Sequence, residues 1–532
     1  MIRFPWRFTI VALGVAWAVD FLFWKKTIGI SFLIWILLLL IGSIILSKSE
    51  KKLLSPINII PALAALVFAA ISFIRTDPFT QVINLLFSMG AIFVLASSFS
   101  TGHWVYYRLV DYLTSGFHGF ISAFARPVEL GSSAPSEEIE VSKEFSWKTL
   151  FRHTVPVLRG LFLALPVVIV LGALLASADP IFSDRLDDIL KIFDLSKLGE
   201  YIFRMFYILI LAYIFAGLYL FAIHPKRKLE KPDPTQPWMK TFLGWTEAAI
   251  ILVCVDLLFA LFVGIQFKYF FGGNANITAA GYTFSEYARR GFGELVVVAV
   301  LSLLLYLALG TITRQEKRTA QRGFSVLSIA LIGMVLVMLV SAFQRVILYE
   351  NAYGFTRLRT YPHIFMVWLG ILLAITVVFE IMHNRGRFAL ALLISSFGFC
   401  MTLGIINVDQ LIVQQNITRT RNGEEIDGDY IRELSDDSVP ALIEAYNNPN
   451  LNQDVKDTLG ADLACRAVIA ENGTKRPWQS FHLSNFRTQR LLHDHRAEWS
   501  SYPVIQDEDG MWTVMINDET IYCEPFYWRN FD

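Results

Sequence analysis

Long apolar runs separated by short polar segments dominate this chain. Eleven runs approach or reach the ~20 residues that a helix needs to cross the hydrocarbon core. They lie at 8–24, 27–46, 56–74, 79–99, 155–176, 201–222, 242–267, 292–312, 324–343, 361–381 and 388–406. The first run has no small-residue cleavage site behind it and the second follows almost at once, which predicts a membrane span rather than a signal peptide. Three regions break the pattern. Segment 103–152 opens with an aromatic part with scattered charge (104–124), which predicts an amphipathic helix along the interface. It continues into a Ser- and Glu-rich linker (131–144). Segment 223–240 is short, basic and Pro-rich. From Asp409 onward the charge density rises and the period changes. Helices are expected at 430–446, 452–469 and 478–498, with Ser435 and the two aspartates after it as a helix start. Strands follow at 502–505 and 511–516 around the turn Asp507–Gly510, with another at 521–527.

The expected fold is therefore an all-α polytopic membrane protein of about eleven transmembrane helices with a small C-terminal α+β domain. Its divisions are the N-terminal helices (1–99), a segment with an interface helix and linker (100–154), the transmembrane core (155–408) and the C-terminal domain (409–532). Composition agrees with this class. Of 532 residues, 55% are hydrophobic and 17% charged, where soluble chains carry about a quarter charged. The formal net charge of +0 gives no basic footprint for nucleic acid. With the N-terminus inside, the inside segments hold 21 Lys and Arg and the outside loops 12. This excess places the N-terminus in the cytoplasm and the C-terminal domain outside. Of the four cysteines, Cys254 and Cys400 fall within spans, while Cys465 and Cys523 fall in the C-terminal domain. An outside location allows the last two a disulfide, although spacing alone does not bring them together.

No metal, phosphate-loop, nucleophile-elbow or CxxC pattern is present, and the nine histidines form no ligand cluster. No metal or cofactor is expected, and an enzyme is the less favoured class. What remains is polar chemistry at membrane depth. Asp256 lies inside the run 250–262, where an unpaired carboxylate costs several kcal/mol and marks a functional candidate. A structural tie between helices is an equal reading. Gln266 is the second polar position of that span. Two further stretches set Arg, Glu and aromatics at helical spacing. The first, 285–295, holds Glu286, Tyr287, Arg289, Arg290 and Glu294. The second, 341–363, holds Arg345, Tyr349, Glu350, Tyr353, Arg357, Arg359 and His363. Arginine suits bidentate contact with phosphate or carboxylate and stacks on rings. The two stretches predict either a patch for an anionic lipid or lipid-linked saccharide head group, or a self-paired structural network, with the network slightly favoured.

The same residues carry a resemblance. FAxFVxxQxxYxFGG at Phe259–Gly273, YTFSEYARRGFGEL after it, RVxLYExAYGFTxxRxYPH at Arg345–His363 and IDGDYIRELSDDSVPAL at Ile426–Leu442 resemble a bacterial polytopic membrane family. That family is catalogued as a domain of unknown function (number four-one-seven-three). The resemblance covers roughly the second half of the chain. It implies a multi-pass protein of the bacterial plasma (inner) membrane and supplies no reaction. Three functions stay open. The favoured one is a non-enzymatic envelope sensor or scaffold in contact with the bilayer. The others are a transporter with Asp256 and the Arg/Glu network along its path, and an enzyme acting on a lipid-linked substrate. No protein partner is indicated.

Overall fold

The architecture is that of a computed structural model, which describes residues 2–132, 198–225, 239, 241–270, 292–420, 423–424, 426–473, 476–516 and 519–523. Among them, ten helices are long and apolar enough to cross a membrane, and the chain is a helical multi-pass membrane protein. The eleventh expected span, 155–176, lies outside the described residues, as do most of the linker 131–144 and the basic loop 223–240.

The spanning helices form two bundles. The first comprises α1 (Pro5–Phe23), α2 (Ile30–Ser49), α3 (Ile59–Ile74), α4 (Pro78–Ser97) and, after two short helices, α7 (Leu198–Ile223). Phe8, Ile36, Leu46, Ala65, Leu220 and Ile223 meet in its core. The short helices are α5 (Leu109–Ala125) and α6 (Pro127–Ser132). α5 is the expected interface helix: Leu113, Phe117 and Phe120 point outward while Ser115, Gly119 and Ala123 are buried. Its small residues let it lie close on α7, where Gly119 faces Phe221.

The second bundle comprises α8 (Trp245–Phe270), α9 (Phe292–Ile312), α10 (Arg318–Tyr353), α11 (Arg357–Ile381) and α12 (Phe388–Ile405). Its core holds Leu252, Ala299, Leu331, Val335, Met366 and Leu373. α12 also joins the bundles. Cys400 packs with Phe68 and Ile71 of α3, and Leu390 and Leu393 pack on Val94, Trp104 and Tyr107.

The C-terminal domain begins with α13 (Val408–Thr420) and continues through α14 (Gly428–Arg432), α15 (Val439–Tyr446), α16 (Gln453–Asn472) and α17 (Leu483–Asp494). Three antiparallel strands follow in the order β1 (Val504–Gln506), β2 (Trp512–Ile516), β3 (Glu519–Tyr522). The single helix expected at 430–446 is two pieces. Asp409 accepts hydrogen bonds from the backbone and hydroxyl of Ser435, and a 3-10 turn at Asp436–Ser438 intervenes. β3 starts two residues earlier than expected, and residues 524–532 are outside the description. The disulfide that the sequence left open is formed: Cys465 on α16 is bonded to Cys523 behind β3, with Cα atoms 5.1 Å apart.

Among the described residues, the contacts of the C-terminal domain with interhelical loops lie on one side, here the near face. Ser480 Oγ donates to Thr27 O (2.9 Å) and Ile30 N to Phe481 O (3.0 Å). Gly29 allows this approach, because a Cβ there would lie 2.7 Å from the Phe481 carbonyl oxygen. Thr76 N donates to Asp437 Oδ2 (2.8 Å), and Phe355 N to Asn416 Oδ1 (2.8 Å). The far face holds the other ends, with Lys52 Nζ on Ile223 O (2.8 Å) and Arg126 Nη1 on Leu220 O (2.7 Å). The chain is thus at the far face at Arg126 and at the near face at Glu200, which accepts from Trp24 Nε1 (2.7 Å).

One element departs clearly from expectation. The span read as 324–343 is part of a 36-residue helix that continues to Tyr353. Hydropathy falls at Gln344, yet nothing there stops a helix, and Val346 and Glu350 stay buried on the same face as Ala342. The stop is Gly354, whose φ of +82° ends α10. A Cβ at that position would also collide with Arg419 and Asn416. The supposed loop is therefore the tip of a helical hairpin with a three-residue turn.

Candidate functional site

The hairpin tip brings together the second of the two Arg-rich stretches and ties it to the C-terminal domain. Arg357 opens α11 and aims its guanidinium at Asp409 of α13, donating from Nε (2.8 Å) and Nη2 (2.5 Å). This is the two-pronged geometry that favours Arg over Lys. The Asp409 side chain is 0% exposed. Asp77, between α3 and α4, lies 3.4 Å from Arg357 Nε and accepts from the Tyr361 hydroxyl and Thr80 N. Arg357 N itself donates to the Tyr430 hydroxyl (2.6 Å). Asp437 completes the cluster by accepting from Thr76 N and Asp77 N. Burial raises its carboxyl above the usual aspartate range.

The other members of the stretch are placed as follows. Glu350 is buried and pairs with His363 Nδ1 at 3.0 Å, while the His363 ring lies 4.5 Å from that of Phe343. Arg359 lies over the Tyr349 ring (4.2 Å) and donates to the Tyr353 and Gly354 carbonyl oxygens, capping the end of α10. Tyr349 and Tyr353 stand edge to face at 5.2 Å. Arg345 is half-buried one turn below. Arg357 therefore contacts Asp409 and Asp77 rather than Glu350, and Glu350 contacts His363.

Of the five candidate residues of the first stretch, only Glu294 is among the described residues. It sits exposed in the first turn of α9, whose far end bonds Leu243 at the opposite face, so Glu294 is at the near face. Glu286, Tyr287, Arg289 and Arg290 lie outside the described residues. Asp256 and Gln266 are half-buried on α8. Both Asp256 carboxylate oxygens are inaccessible and have no hydrogen-bond partner among the described residues. The helices do not bring Asp256 to the hairpin tip.

Three polar clusters join residues that the sequence does not pair. Glu380, fully buried near the far end of α11, accepts from the hydroxyls of Tyr306 (2.6 Å) and Ser325 (2.6 Å) and from both prongs of Arg385. An acidic residue closing an apolar run was the available signal. Asp20 of α1 is held by Arg204 Nε (2.9 Å) and the Tyr207 hydroxyl of α7. In the C-terminal domain, Arg466 bonds Asp462 (2.9 Å) and the Ile431 and Leu434 carbonyl oxygens. This last pair floors a cleft of about 760 Å³ rimmed by Arg432 and Arg476 and walled by Trp478, Phe481 and Phe486. His482, also on the cleft, places Nε2 2.7 Å from Ile28 O. Burial holds its imidazole below the ordinary histidine range. Among the described residues no group of three or more metal-binding side chains is present.

The model of a family described as Domain of unknown function (DUF4153) matches residues 62–445. The match does not confirm the number four-one-seven-three. It reaches back into α3, well before the half of the chain that carries the resemblance, and ends in α15. No curated protein and no solved structure matches.

Proposed function

The chain belongs to the family of the domain of unknown function DUF4153, and from that premise we propose that it is a non-enzymatic membrane scaffold or sensor. In this reading its C-terminal domain reports on the helices beneath it. The observation that carries the proposal is the Arg357 clamp. One guanidinium engages Asp409 of the domain and lies beside Asp77 of the first bundle, while its own backbone belongs to the second. A shift of α10 against α11 therefore acts on all three parts. The hairpin cations whose contacts are described bond groups of the chain itself, which supports the network reading of that stretch over a ligand patch. Hydrogen exchange tests the coupling. In Arg357→Gln, amides of α13 and α15 should exchange faster together with those at the α3–α4 turn. Faster exchange confined to residues 354–360 would remove the sensor reading.

We place the domain outside a bacterial plasma membrane. The Lys and Arg excess at the far face and a disulfide in the domain, the usual mark of an oxidising compartment, both support this. Alkaline phosphatase fused after Ile406 should be active, and fused after Ile312 inactive. The reverse pattern would end this placement.

A further inference from the structure

Two separate cavities lie at the ends of one aromatic strip. Within the membrane, α1 and α7 form an open groove of about 350 Å³ lined by Leu13, Tyr201, Met205, Ile208 and Leu209, with Asp20 and Arg204 at its polar end. Above the near face is the 760 Å³ cleft of the C-terminal domain. Both volumes fall in the range of small-ligand sites. Leu13, Trp17 and Phe21 follow one another at four-residue spacing along one face of α1. Trp17 stacks on Phe21 (5.5 Å), and Phe21 meets Trp478 of the cleft (6.2 Å). From Leu13 to Phe21 the helix rises ~12 Å. Trp17 and Trp478 are more than half exposed.

The cleft lining sets Arg432, Arg466 and Arg476 against Asp436, Asp462 and Glu471, so the positive charge in excess beside this strip is that of Lys26. Lys26 Nζ rests over the Phe21 ring (5.0 Å) and donates to the Phe21 carbonyl oxygen. Arg476, exposed on the cleft rim, makes a long contact of 3.5 Å to Asn485. Arg204 and Lys25 add charge at the groove's end, offset by Asp20 and Glu200. An apolar trough in the bilayer, an aromatic step at its edge and one cation in excess of the carboxylates, at Lys26, match one kind of molecule.

We propose that α1, α7 and the C-terminal cleft together bind an anionic phospholipid. An acyl chain lies in the groove, the phosphate sits at Lys26, and the rest of the head group enters the cleft beside Trp478 and Arg476. The site is distinct from the hairpin tip and gives the sensor reading its ligand. It rests on that reading for its purpose only. Fusions showing the opposite orientation would overturn the placement and leave the binding result standing.

The test uses the full chain in nanodiscs made with equal phosphatidylglycerol and phosphatidylcholine, with retained lipid counted by native mass spectrometry. The wild type should retain phosphatidylglycerol in preference. Lys26→Gln and Arg476→Gln should each reduce that preference about five-fold, as expected for one basic residue at a membrane surface. Leu13→Trp, which fills the groove, should lower retention of both lipids. If that variant does not fold, Leu209→Trp replaces it. Each variant is accepted once it elutes as wild type with its disulfide intact. An unchanged preference in both charge variants would overturn the proposal. So would full retention in the filled groove. Inorganic phosphate at millimolar concentration is the control. If it displaces the lipid completely and is itself retained, the site takes free phosphate and the proposal falls.

Discussion

Arg357→Ala will cost more stability than any other single truncation at the hairpin tip, about 3–5 kcal/mol, the usual penalty for breaking a buried ion pair from one side. The size follows from what is stranded. Asp409 is fully enclosed and Asp77 nearly so, and both face the guanidinium. Arg357→Lys should recover only part of the loss, because an ammonium cannot present the two parallel N–H groups that Asp409 accepts. Arg357→Met with Asp409→Leu should recover more, since that pair removes charge from both sides, although Asp77 still keeps an unmatched carboxylate. Arg359→Ala is the contrast. Arg359 caps carbonyl oxygens at a half-exposed edge, so its loss should stay below about 1 kcal/mol. Thermal unfolding in detergent, read by loss of the native elution peak, ranks the four. If Arg357→Ala and Arg359→Ala melt together, the clamp is not the costliest contact of the hairpin tip to break.

Removing the Cys465–Cys523 bond should have a comparable effect, but one confined to the end of the chain. The sequence separation is 58 residues, and closing a loop of that length lowers the entropy of the unfolded chain by an amount worth about 4 kcal/mol. The native side has little else to hold it. Three strands of three to five residues are marginal alone, and this sheet's core is small: Val514 with Ala461, Cys465 and Cys523. Cys465→Ala with Cys523→Ala, or reduction of the native protein, should make residues 500–523 the first site of proteolysis and leave the transmembrane helices intact. Cys254 and Cys400 carry no disulfide and should not matter. Equal protease resistance of oxidised and reduced protein would refute this.

The apolar rhythm made all ten described spans legible, along with the interface helix and the outline of the C-terminal domain. It failed where hydropathy and backbone continuity part company. Gln344 and Arg345 end the apolar run but not α10, because backbone bonding and the buried positions Val346 and Glu350 carry the helix on to Gly354. Partners were the least legible feature. Arg357 and Asp409 are 52 residues apart, and only the return of α13 beside the hairpin joins them. The sequence could pose the question of Cys465 and Cys523, while the distance that answers it depends on how β3 lies against α16. Glu380 was hidden by its position as the last polar residue of a long span, where it reads as an interface residue. The hairpin's charged residues were found, and what was misjudged was their partners.

The way the C-terminal domain is mounted changes how its lesions should appear. It grips the α1–α2 turn through Ser480 and His482, the α3–α4 turn through Asp437, and the α10–α11 turn through Asn416 and Asp409. Its chain also continues directly from α12. With these attachments in one molecule, a contact that opens is held near its partner at a high effective concentration and re-forms as an intramolecular event. The domain therefore behaves as a multivalent ligand of its own membrane helices. A lesion at one grip should lower stability without detaching the domain, because release demands that separate grips fail together.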